Sequence, residues 1–144
     1  MGTKRKLLIV NGNQFGYSAG HYYYCKYLRD YFDIEYVCFD RGRVKLKIEW
    51  VNINYVSFGN KKAKRIIDFI LTAVHLNRKF RPDVLFVVYF NYCFILSLFC
   101  KAKLKILDIR TGSLSQNSFR RKYENVLLFF QSLFNSSHLP ILPT

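Results

Sequence analysis

Apolar positions along this chain fall into short blocks with two alternating rhythms. Leu7-Leu8-Ile9-Val10 is a run of four between a basic lead-in and a turn-rich loop, the form taken by a strand buried on both faces. After the loop, Tyr24, Tyr27, Leu28 and Tyr31 recur at helical spacing, which predicts a helix with that face inward and Lys26, Arg29 and Asp30 in water. Ile34 to Phe39 predicts a second strand ending at Asp40-Arg41-Gly42, and Ile48 to Phe58 a third. Asn60 offers an N-cap to a helix whose stripe is Ile66, Ile67, Ile70, Leu71 and Val74, stopped at Arg81-Pro82-Asp83. Val84 to Val88 is a fourth strand, and Tyr92 to Cys100 a helix apolar nearly all round and therefore buried. Leu104 to Ile109 is a fifth strand. A last helix turns Phe119, Tyr123, Val126, Leu127, Phe130 and Phe134 inward and Arg120, Arg121, Lys122 and Glu124 outward.

Strands alternating with helices of this length imply right-handed crossovers and a parallel sheet covered on both faces. The expected class is α/β: a Rossmann-like, doubly wound, three-layer α/β/α single domain over residues 1–136, with 137–144 an irregular tail. A chain of 144 residues has room for one such domain. The ending Ser136 to Thr144 arrives where another strand is due, so the chain reads as cut short.

The uncharged stretch Val84 to Cys100 approaches the length of a membrane-spanning helix. Asn91 in its middle, its Val- and Phe-rich first half and the flanking Asp83 and Lys101 favour a buried strand followed by a buried helix. The apolar run near the start is too short for a secretory signal, which points to a cytoplasmic location.

Composition excludes a disordered chain, since 51% of residues are hydrophobic and 18% aromatic. The formal charge of +14 favours anionic partners such as phosphates, nucleic acid or an acidic lipid surface; solvated helix ends account for such charge equally well. The aromatic residues fall mostly on expected core faces, which counts against base stacking and so against nucleic acid. Cys25, Cys38, Cys93 and Cys100 lack Cys-x-x-Cys spacing and are expected as buried free thiols. His75 and His138 have no paired ligands nearby in sequence, so no metal site is expected.

In an open parallel sheet, ligands bind beyond the carboxyl ends of the strands. The first such loop holds Gly12, Gly16 and Gly20, which let backbone approach a ligand, and leads to helix-start amides around Ser18 to Tyr22 that suit an anion. It matches neither the dinucleotide nor the phosphate-loop fingerprint, and a plain turn capped by Ser18 is the alternative. Asp40 sits where a ribose-binding acid would lie, or simply forms a turn with Arg41-Gly42. His21 could hydrogen-bond a phosphate or sugar, or be a surface residue at a helix start. Tyr89 and Asn91 end the fourth strand as packing and turn residues. In Asp108-Ile109-Arg110-Thr111-Gly112-Ser113, Asp108 could orient an acceptor or act as a base and Arg110 could grip a phosphate; alternatively the two form an ion pair that pins the loop. No Gly-x-Ser-x-Gly, His-Glu-x-x-His or local carboxylate pair is present, which argues against self-contained hydrolase chemistry.

The opening Lys-Leu-Leu-Ile-Val-Asn-Gly-Asn, with Gly16-Tyr17-Ser18-Ala19-Gly20 and a Tyr-rich helix, resembles the start of family four glycosyltransferases of the GT-B fold. Ile106 to Ser113 resembles a subset in which the fifth-strand loop reads Asp-Ile-Arg-Thr-Gly. The resemblance implies the N-terminal half of a retaining transferase that moves a sugar from a nucleotide-sugar donor to a glycan or lipid-linked acceptor. It needs no further cofactor. Gly16, Ser18 and Gly20 would face the donor phosphates or acceptor, and Asp108, Arg110 and Thr111 would line the acceptor side. A separate donor-binding domain is implied as partner, without which little activity is expected, and many relatives work at the cytoplasmic face of the membrane. The strand-four end, Tyr89-Phe90-Asn91, departs from the His-rich pattern frequent in that family, so no catalytic role is carried over to it.

Overall fold

The computed structural model of the chain describes residues 4–109. Five strands form one parallel sheet: β1 (Arg5–Asn11), β2 (Phe32–Asp40), β3 (Asn52–Ser57), β4 (Val84–Val88) and β5 (Leu104–Asp108). Three helices connect them: α1 (Ala19–Leu28), α2 (Lys62–Phe80) and α3 (Phe94–Phe99). Spatial order is β3-β2-β1-β4-β5, the half-Rossmann arrangement, so the fold is a Rossmann-like α/β sheet. The chain reverses its direction of travel across the sheet between β1 and β4.

Alternation along the strands sends side chains to two separate cores. Leu8 and Val10 of β1, with Val37 and Phe39 of β2 and Leu85 and Val87 of β4, pack against α2 and α3. Leu7, Ile9, Ile34, Tyr36 and Cys38 face the other way, with Phe15 and Cys25. On the α2 side Phe69 stacks on Phe39 at 4.2 Å and meets Phe90 edge-on at 5.2 Å.

Helix faces differ from the sequence expectation. The buried residues of α2 are Phe69, Ile70, Ala73, Val74 and Asn77, while Ile67 (55% exposed) and Leu71 (61%) lie outside the stripe. Nearly every position from Ile66 to Leu76 offers an apolar or small side chain, and the sheet takes the side that brings Phe69 onto Phe39. In α1 the inward residues are His21 and Cys25; Tyr24 and Tyr27, with Tyr31 in the turn after the helix, are exposed, their hydroxyls in keeping with contact with water. The expectation that aromatic residues lie on core faces therefore holds for Phe15, Phe39 and Phe69 and fails for these tyrosines. Lys61, not Asn60, is the N-cap of α2. α3 is shorter than expected and buries Leu96, leaving Leu98 and Phe99 exposed. Among the described residues no helix is long and apolar enough to cross a membrane, and Val84 to Cys100 divides into β4 and α3. The expected helix over 119–134 and the tail lie outside the described residues.

Candidate functional site

The carboxyl end of β1 opens into a loop fixed from beneath by buried amides. Asn11 donates from Nδ2 to the Tyr36 hydroxyl at 2.7 Å and accepts the Asn13 N–H at 2.9 Å, bending the chain out of the sheet. Gln14 is 1% exposed; its Nε2 donates to the Arg43 carbonyl at 2.8 Å and its Oε1 accepts the Arg41 N–H at 2.9 Å. Arg41 reciprocates, its guanidinium donating to the Gly12 carbonyl at 3.0 and 3.2 Å. The β1–α1 loop and residues 41–44 are thus stitched together. Gly16 has φ +88, a conformation that costs a side-chain-bearing residue, and a Cβ there would run into Leu46 Cδ1. Gly12, in contrast, would accept a Cβ at ordinary contact distance.

Ser18 is the N-cap of α1, and its carbonyl accepts the N–H groups of His21 and Tyr22. That engagement narrows the expected anion seat to the amides of Ala19 and Gly20. The Ser18 side chain makes no capping bond; its Oγ lies 2.5 Å from His21 Nδ1. On the far side of the ring, His21 Nε2 is 3.4 Å from Asp108 Oδ2 at the end of β5. His21 is 3% exposed and stands edge-on to Tyr24 at 5.9 Å, which in turn meets Phe86 of β4. Three of the sequence-predicted residues, Ser18, His21 and Asp108, therefore converge across the β1/β4 switch point. Gly16 and Gly20 lie in the loop and first helical turn beside them, while Arg110 and Thr111 lie outside the described residues.

In the tautomer with its proton on Nε2, the ring turns that proton toward the carboxylate, and Nδ1 accepts the Ser18 hydroxyl proton. A hydroxyl polarised by an imidazole, itself oriented by a carboxylate, can orient a sugar hydroxyl or relay a proton. Asp40 is occupied differently: Oδ1 accepts the Gly42 N–H at 3.0 Å and Oδ2 pairs with Lys45 at 2.8 Å. The Lys45 hydrogen bond, with the Gly42 amide, holds its carboxyl below the usual range. Tyr89 donates from its hydroxyl to Asn91 at 3.4 Å, and its N–H donates to the Asp108 carbonyl at 3.0 Å, so the loop after β4 is tied to the end of β5.

Sequence reasoning missed two residues here. Gln14 carries no signal beyond lying in a loop, and its role depends on where residues 41–44 pass. Tyr92 has a left-handed backbone, φ +71, in the loop after β4, where Asn91 beside it was the residue type to suspect.

The four thiols are buried and free, two in each core. Burial pushes Cys25 up to about 12 and Cys38, Cys93 and Cys100 up to about 11, which leaves them poor nucleophiles. Set against known proteins, the chain matches no family model, no curated protein and no solved structure.

Proposed function

We propose that this chain is the acceptor-side half of a retaining glycosyltransferase, which moves a sugar from a nucleotide-sugar donor to a glycan or lipid-linked acceptor once joined to a donor-binding domain. The observation that carries the reading is the Ser18–His21–Asp108 constellation at the switch point of the 3-2-1-4-5 sheet. In this role Asp108 holds the His21 ring, His21 polarises Ser18, and the three present a hydroxyl-binding wall to the acceptor. The first turn of α1, with the Ala19 and Gly20 amides, supplies a seat for phosphate. Work at the cytoplasmic face of a membrane is part of the same proposal, as the site of lipid-linked acceptors.

The test begins with the coding DNA after Thr144, read in all frames for a second Rossmann-like domain with a Glu-containing donor motif. A joined polypeptide is expected to transfer labelled sugar from one of a panel of nucleotide sugars, and Asp108→Asn or His21→Ala to cut transfer by at least about tenfold. Absence of such a frame, or a joined chain that transfers nothing, removes the enzyme reading. A non-catalytic module for a phosphate-bearing ligand then takes its place.

A further inference from the structure

The opposite edge of the sheet carries a second candidate site, independent of the reading above. Here the end of α2, the Arg81-Pro82 turn, the end of α3 and the turn before β5 enclose an open cleft of about 810 Å³. Its polar walls are Arg78, Arg81, Lys101 and Lys103, its apolar wall is led by Phe99, and among the described residues no carboxylate lines it.

The cleft is built, not incidental. Asn77, 3% exposed, donates from Nδ2 to the Lys101 carbonyl at 3.1 Å and accepts the Lys101 N–H at 2.9 Å, which locks α2 to the β5 approach. Asp83 fixes another wall: Oδ2 accepts the Lys6 N–H at 3.0 Å and Oδ1 pairs with Lys103 at 2.7 Å. Arg81 ends α2 with φ 52 and ψ 66, the left-handed cap that glycine ordinarily fills, so a guanidinium stands where backbone economy asks for no side chain. Basic residues at a helix end also complement its dipole. That dipole amounts to only about half a negative charge. Asp83 answers one more cation, which leaves a clear positive excess at the cleft.

We infer that this cleft binds an organic phosphate, its phosphoryl oxygens held by Arg78, Arg81 and Lys101 and its carbon skeleton laid against Phe99. Guanidinium forks favour phosphate geometry, and the exposed ring supplies the apolar half of the recognition. The phosphate could belong to a soluble ester or to a lipid headgroup, and the experiment separates the two.

Full-length protein is titrated calorimetrically at low salt with inorganic phosphate and phenyl phosphate, and sedimented with phosphatidylcholine vesicles with and without phosphatidic acid. Phenyl phosphate is expected to bind more tightly than inorganic phosphate. Arg78→Gln and Arg81→Gly should each weaken it about tenfold; Arg81→Gly also relieves the backbone, so its loss cannot be blamed on unfolding. Arg65→Gln, at a half-buried cation stacked on Phe58 away from the cleft, should leave binding unchanged. Vesicle binding that needs phosphatidic acid, is lost in the same variants and is competed by phenyl phosphate assigns the headgroup; phenyl phosphate binding alone assigns a soluble ester. The proposal is overturned if neither probe binds, if Arg65→Gln weakens binding equally, or if Ser18→Ala abolishes binding that Arg81→Gly spares.

Discussion

Both edges of the sheet are anchored by buried carboxamides, and the anchors sit in opposite surroundings. At the carboxyl edge Gln14 ties the β1–α1 loop to residues 41–44, beside a His–Asp pair. At the amino edge Asn77 ties α2 to Lys101 beneath a group of cations. An amide that both donates and accepts can hold a neighbouring backbone without adding charge, so each edge keeps its own electrostatic character. The carboxyl edge is thereby suited to orienting hydroxyls, and the amino edge to holding anions.

The largest expected effect erases this difference, because it strikes both cores together. The folded thiols lie near 11 to 12 and ionise near 9 when unfolded, so the folded state holds more protons between those values and stability falls as pH rises past 9. Each thiol should cost up to about 1.4 kcal/mol per pH unit in that window. Denaturant midpoints from pH 8 to 11 check it, and a flat profile would contradict the burial.

Gln14→Leu should come next, at about 2–3 kcal/mol, since several backbone groups lose a partner. Asn77→Leu, which strands one N–H and one carbonyl, should cost about 2 kcal/mol. Equal losses in urea melts would mean the two anchors are not graded by their bonds. Gly16→Ala sharpens the carboxyl side: its left-handed backbone predicts a loss of about 1–2 kcal/mol, even if Leu46 swings away. Smallest is Arg81→Gly, expected to raise stability by about 0.5–1 kcal/mol by relieving the same strain at the amino edge. A lower melting temperature would show that the arginine side chain supports the fold.

Strands were far more legible in the sequence than helix faces. β4 was expected at Val84 to Val88 and is found there, because β-branched runs bounded by Pro82-Asp83 and a polar loop allow few alternatives. α2 was ambiguous, since apolar residues cover more than one face and only the sheet decides which is buried. The tyrosines of α1 misled for a related reason: an aromatic body with a hydroxyl tolerates either side. For the site, Ser18, His21 and Asp108 could be assigned to the carboxyl edge from strand order alone. That His21 would reach Asp108, 87 positions away, depends on β5 lying beyond β4 and on α1 packing over that face. Of the amino-edge cleft only the high positive charge of the chain was legible, because its cations come from two separate segments, 78–81 and 101–103.

The all-parallel register also governs the order in which this sheet can be assembled. Arg5 pairs with Phe32 across 27 positions, but Leu7 must wait for Val84, 77 positions later. As the chain emerges from a ribosome, β1 can therefore join β2 early, while its other side stays open until α2 and β4 have been made. That open edge offers the apolar Leu-Leu-Ile-Val strand to any passing extended segment, so the synthesis of about fifty residues is the interval in which chaperone protection matters most.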